Sequence, residues 1–287
     1  MVIKTDKIPN PGETVLGGTF LMNPGGKGAN QAVAASRLGG KVTFIAKIGN
    51  DMFGSQTTKI LKKEGINTNY VVKDPEVPSG IALITVDEEG ENSIVVAPGS
   101  NHNLLVQDID SDILTSDKYN VMLVQLEIPI MTVEFAVLTA AESGIKVILN
   151  PAPAQKLRDY LLRHIWLITP DESEAEILTG IKIHNLTTAE AAATSLQKRG
   201  VKNVIITMGA QGAYVKAEDF TEMFPGVQVK AIDTTGAGDV FNAALAVATA
   251  EGKGLRDAVI YANKAASICV TRMGAQASAP YSEEVVL

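Results

Sequence analysis

A single cysteine, Cys269, stands in 287 residues, so neither an internal disulfide framework nor a cysteine-based zinc site can be built. That usage fits a reducing, cytoplasmic setting. Histidine is nearly as scarce, and His102, His164 and His184 are too dispersed to form a metal cluster. No apolar run reaches the roughly 18 residues of a membrane span. The opening stretch, MVIKTDKIPNPGE, is polar and rich in chain breakers, unlike a signal peptide. Basic residues are scattered, and a net charge of −7 argues against a nucleic-acid surface. Neither a membrane nor a nucleic acid is expected as a partner, and any anion site must be local.

What is present is enough apolar sequence, 46% of residues, for a sizeable core. Short apolar runs at Val42–Ile48, Val121–Leu126, Lys146–Leu149, Ile165–Ile168 and Val204–Met208 read as buried strands. Helical patterns at Phe53–Glu64, Val133–Ser143, Ala175–Thr179, Ala189–Arg199 and Ala237–Ala250 alternate with them. Such alternation predicts an α/β fold, a mostly parallel sheet flanked by helices on both faces. Ligands in such folds bind beyond the C-terminal strand ends. Two stretches, 1–22 and 79–97, break the pattern. The second is a hairpin, Ser79–Val86 and Ser93–Ala97 around an acidic turn, and it needs a partner strand, for which Val15–Met22 is the candidate. The pair reads as a small β-sheet lid over a core spanning 23–78 and 98–287.

The richest chemistry lies at Asp233-Thr-Thr-Gly-Ala-Gly-Asp239, which runs straight into the helical stretch ending at Ala250. Gly236 and Gly238 let backbone N–H groups converge, and the helix adds its unpaired first-turn amides and positive dipole end. This junction reads as an anion site, and the obvious anion is a phosphate. Asp239 puts a carboxylate beside it, which suggests phosphoryl transfer to a hydroxyl. A helix N-terminus is expected to make that carboxylate a weaker base. A second cluster, Asn23-Pro-Gly-Gly-Lys-Gly-Ala-Asn-Gln31, lacks the spacing of a nucleotide P-loop. Its glycines, Lys27 and Asn30 make it a polar-ligand site whose ligand the residues alone leave open.

Seven ordered segments, GGKGANQA (25–32), QLE (125–127), LNPAPA (149–154), TPDESEAE (169–176), ITMGAQG (206–212), DTTGAGD (233–239) and TRMGAQAS (271–278), resemble the ribokinase-like (PfkB) carbohydrate kinases. The likeness covers essentially the whole chain. It implies ATP-dependent phosphorylation of ribose at its 5-hydroxyl, with Asp239 as base and Gly236, Ala237 and Gly238 as anion hole. Gly26, Lys27, Gly28, Ala29, Asn30 and Glu127 would hold the sugar. Asp171, Thr207, Met208, Gly209, Ala210, Gln211, Gly212, Gly238 and Asn263 would contact ATP, and Glu174 would organise Mg²⁺ through water. Asp233, Thr235, Cys269, Arg272, Gly274 and Ser278 would surround K⁺. The lids of two protomers would clasp to form a homodimer.

Two departures accompany the likeness. Asp171 replaces the family's usual asparagine, implying altered Mg²⁺ dependence. The family's opening strand, with a turn carrying a sugar-gripping asparagine and aspartate, is not represented in the sequence, which implies weak ribose binding and low stability. Two other readings stay open: a kinase for deoxyribose or a nucleoside, and a sugar- or nucleotide-binding pseudokinase.

Overall fold

The structure is a computed structural model that describes residues 1–89 and 91–286. Its main sheet contains β7 (Val121–Val124), β8 (Lys146–Leu149), β9 (Leu167–Ile168), β10 (Asn203–Thr207), β11 (Gly212–Lys216) and β12 (Thr221–Pro225), adjacent in that order. β7 to β10 run parallel, and β10, β11 and β12 form an antiparallel edge. The early strands are β1 (Val2–Lys4), β2 (Thr19–Leu21), β3 (Thr43–Gly49), β4 (Asn67–Asp74), β5 (Ile81–Val86) and β6 (Asn92–Ala97). The first helices are α1 (Lys27–Arg37), α2 (Met52–Lys63), α3 (Ser111–Leu114), α4 (Ile130–Glu142) and α5 (Asp159–Leu162). They are followed by α6 (Glu172–Thr179), α7 (Leu186–Lys198), α8 (Ala237–Ala250), α9 (Leu255–Cys269) and α10 (Ala275–Ser278).

Strand alternation divides the core into two layers. Ile148, Leu167 and Ile205 point to the side of α1, α8 and α9. Val147, Leu149, Ile168, Val204 and Ile206 point to the side of α4 and α7. Helix α8 is buried from Asp239 to Thr249, as its nearly all-apolar sequence requires, and it packs between α1 and α9. That central place holds its N-terminus beside the C-terminal ends of the parallel strands.

The mostly parallel sheet flanked by helices is found as expected, and the two-stranded sheet of β3 and β4 stands apart from it. β3 pairs with β4 and β7 with β8, so among the described residues each keeps one edge without a strand partner. Side chains of Phe44, Ile45, Met122 and Leu123 line the cavity between them, and both strands are only partly buried. On β8, by contrast, Val147, Ile148 and Leu149 are 0% exposed. A hydrogen bond of 3.0 Å between Thr43 Oγ1 and the Tyr119 hydroxyl crosses the seam.

The lid sheet has the order β2–β1–β5–β6. The hairpin's direct partner is β1, parallel to β5, rather than the expected Val15–Met22 region, whose β2 pairs outside β1. Only Val2–Lys4 reaches the open edge of β5, because β2 is already joined to β1 as an antiparallel arm. Three strands escape the apolar-run pattern as well: β4, which is polar at its start, and the β11–β12 pair behind the Gly209–Gln211 turn.

Candidate active site

Glycine builds both ends of the site. Gly26, at φ 94°, starts α1 in a conformation that side chains rarely adopt. Gly236, at φ 81°, starts α8, where a Cβ would stand 3.0 Å from Ala275 Cα. The Ala237 amide of the expected anion hole donates to the Thr234 carbonyl at 3.2 Å. The following amides, of Gly238 and Asp239, are first-turn donors with no i−4 carbonyl inside the helix. A Cβ on Gly238 would meet nothing within 4 Å, so the turn is open at that point.

Asp239 is 7% exposed. Its Oδ2 accepts from Asn30 Nδ2 at 2.8 Å and its Oδ1 from Gln31 Nε2 at 2.9 Å, two donors from α1. Burial raises the Asp239 carboxyl above the usual aspartate range, against the opposing pull of the two amides and of Lys27. Burial thus acts against the weakening expected of a helix terminus. Asn30 Oδ1 is buried without a partner among the described residues, next to the carboxylate.

Lys27, Asn30, Gln31, Glu127, Thr234 and Thr235 line a cavity of about 2240 Å³ that continues under the lid and into the β3–β7 seam. Glu127 follows β7, and its Oε2 accepts the Lys27 amide at 2.8 Å, placing a carboxylate on the N-terminus of α1. Burial raises the Glu127 carboxyl, with that hydrogen bond opposing. Ala29 is buried, and a Cβ on Gly28 would stand 3.2 Å from Gln125 Oε1.

Residues 1–281 match the pfkB family carbohydrate kinase pattern. The chain is 43% identical over 288 residues to the ribokinase of Haemophilus influenzae, covering 99% of this chain and 93% of that one. It is 38% identical over 286 residues to the deoxyribokinase of Salmonella typhimurium, at 99% and 93% coverage. Among solved structures, the ribokinase of Thermotoga maritima superposes with a TM-score of 0.90 at 38% identity, covering 99% of this chain and 93% of the other. The Arabidopsis thaliana ribokinase complexed with ribose and ATP does so with a TM-score of 0.89 at 29% identity and the same coverage. The chain belongs to the pfkB family of carbohydrate kinases.

The residues expected on the nucleotide side of this kinase form a second group outside the cavity wall. Asp171 caps α6, accepting the Glu174 amide at 2.7 Å, while Glu174 Oε2 accepts the Asp171 amide at 2.9 Å. Asp171 also bridges to Thr207 at the end of β10. Met208, Gly209, Ala210 and Gln211 form the following turn, and Gly212 opens β11 against Pro225. Asn263 Nδ2 lies 3.4 Å from the carbonyls of Phe224 and Pro225, which closes the group onto α9. Burial raises the Glu174 carboxyl, and the charges of Lys27 and Asp239 both reach it, so the two groups face each other electrostatically.

The residues expected around a monovalent cation also converge. Asp233 accepts the amides of Thr235 at 2.9 Å and Gly274 at 2.8 Å. Burial works against ionisation there, yet hydrogen bonds from Thr235 and Gly274 hold the Asp233 carboxyl below the usual range. The Ser278 hydroxyl contacts the Cys269 thiol at 3.0 Å and donates to the Ala275 carbonyl at 2.9 Å. The Arg272 amide donates to the Cys269 carbonyl, while its guanidinium pairs with Glu284 away from the set.

Sequence reasoning missed the amides behind the carboxylate: Gln31, Gln125, Asn150 and Asn242. The first three stand inside recognised segments, so their position was visible and their burial was not.

Proposed function

We propose that the chain transfers the γ-phosphoryl group of ATP to the 5-hydroxyl of D-ribose. The observation that carries this reading is the buried, basicity-raised Asp239 carboxylate at the N-terminus of α8, next to an open glycine turn. Asp239 accepts the hydroxyl proton, and the amides following Gly236 stabilise charge on the migrating group. In a loose transition state the proton leaves late, so a carboxylate suffices. Asn30 is the exchangeable partner: the hydroxyl takes its place on Asp239 Oδ2, while the unpartnered Asn30 Oδ1 accepts from the sugar. Gly26, Lys27, Gly28, Ala29 and Glu127 complete the sugar site.

ATP lies along Asp171, the Thr207–Gly212 turn and Asn263. Mg²⁺ accompanies the triphosphate, and the Glu174 carboxylate is suited to hold its water shell; the ion supplies charge neutralisation. The Asp233 carboxylate, the Ser278 hydroxyl and the loop carbonyls from Cys269 to Gly274 are hard oxygen donors, a set that suits K⁺ beside the phosphate turn. The lid, 1–22 and 79–97, covers the sugar. Cross-strand register puts Ile3, Phe20, Leu83 and Val95 on the face turned away from the cavity, each at least 46% exposed. That apolar face supports a homodimer joined lid to lid.

Deoxyribose is the second reading, favoured by the similarity to a deoxyribokinase. Coupled measurement of ADP release over a panel of ribose, 2-deoxyribose, fructose and nucleosides tests both. The highest kcat/KM is expected with ribose; a nucleoside preference, or no turnover with any sugar, overturns the proposal.

A further inference from the structure

The proposed chemistry leaves a set of buried amides without a task. Gln31 and Asn242 are 1% exposed, Thr169 is 1% and Asn150 is 6%. Gln31 Nε2 spends one hydrogen on Asp239 Oδ1 at 2.9 Å and the other on Asn150 Oδ1 at 3.0 Å. Its Oε1 accepts from Gln125 Nε2. All three polar positions of that side chain are thereby used, and its orientation is fixed. A flipped amide would aim its oxygen at two other acceptors, Asp239 Oδ1 and Asn150 Oδ1.

The set continues to the phosphate turn. Asn150 Nδ2 lies 3.4 Å from the Thr169 carbonyl, the longest link. The Thr169 hydroxyl donates to Asn242 Oδ1 at 2.6 Å, and Asn242 Nδ2 donates to the Gly238 carbonyl at 2.9 Å. Residues from α1, from the ends of β7, β8 and β9, and from α8 are thus joined, with Asp239 at one end and Gly238 at the other. Every linking group is neutral. Asn30 differs in kind: one hydrogen bond ties its side chain to Asp239, and its Oδ1 has no partner among the described residues.

We infer that Gln31 is a positioning residue for phosphoryl transfer, the fixed clamp that orients the Asp239 carboxylate while Asn30 exchanges with substrate. This rests on the reading of Asp239 as the base. An unclamped carboxylate would rotate about its side-chain bonds, and small misplacements of reacting groups lower the chemical step more than binding. Gln31 has each polar position engaged within the protein, so its loss acts through Asp239.

The test is a double-mutant cycle on kcat and KM, using Gln31→Met, which keeps length and removes both donors, together with Asp239→Asn. In the parental background Gln31→Met is expected to lower kcat by about 10- to 100-fold, with KM for ribose and ATP nearly unchanged. In the Asp239→Asn background its further effect is expected to shrink to less than about threefold, because the carboxylate it orients is gone. An equal loss in both backgrounds, or a parental kcat in Gln31→Met, overturns the inference while leaving the base assignment standing. A parental kcat in Asp239→Asn overturns the base assignment and the clamp with it. Should Gln31→Met melt below assay temperature, Gln31→Leu, likewise neutral and without a donor or an added acceptor, is assayed below its melting midpoint and carries the same expectations.

Discussion

The two walls of the cleft are built to different standards. On the α8 side, β8 to β12 form an unbroken ladder between two filled helix layers, and the groups near Asp239 are hydrogen-bonded on almost every atom. On the lid side, β3 and β7 face each other across a seam, with edges that have no strand partner among the described residues and half-covered apolar side chains. The difference separates two duties. On the proposed reading, proton removal and phosphate handling rest on the rigid wall, where geometry decides rate. On the same reading, sugar retention rests partly on the loose wall, where order decides affinity.

The largest expected effect strikes the rigid wall. Asp239→Asn should lower kcat by about 10²–10⁴-fold while ATP binding, measured by calorimetry, stays near parental. The same substitution should raise Tm at neutral pH. The folded pKa of Asp239 lies above its unfolded value, so its ionisation costs stability once the pH rises through that range. A neutral amide removes the cost.

Repair of the loose wall is the next test. A strand of about 5–6 residues laid between β3 and β7 would pair both edges. A strand-forming segment supplied to that seam should raise Tm, by about 2–4 °C per kcal/mol gained in a chain of this size, and lower the KM for ribose. Equal melting and KM with and without it would show that the seam matters to neither.

Smaller effects sharpen the contrast at its border. Replacing Na⁺ with K⁺ at constant ionic strength should increase kcat through the Asp233 set, with a flat titration removing the cation role. Leu83→Asp should shift sedimentation at micromolar concentration from dimer to monomer, by placing a charge on the lid's outer apolar face. Last, the acid limb of the kcat–pH profile should lie above an ordinary aspartate's pKa of about 3.9, because Asp239 must be unprotonated and burial raises it.

Much of the rigid wall was legible in the sequence, and the reason is local. Lys146–Leu149 is short, apolar and bounded by breakers, so its strand is found where the pattern puts it. Gly236, Gly238 and Asp239 lie within four residues, and a turn leading into a helix leaves few other readings. The lid's pairing was misread because three residues near the start, Val2–Lys4, carry no periodicity of their own and become a strand only against β5. The amide clamp was illegible for a related reason. Gln31 meets Asp239 across 208 positions and Gln125 across 94, and nothing in a lone glutamine announces its burial. Asn242 reads as one more residue of an apolar helix until Thr169 arrives from another strand.

The lone cysteine has a practical meaning at the bench. Cys269 is 0% exposed and its thiol lies 3.0 Å from the Ser278 hydroxyl, while burial raises the thiol above its ordinary range. Thiol reagents are therefore expected to leave the folded chain unlabelled. A cysteine placed at Leu16, which is 89% exposed, would then take a spectroscopic label alone.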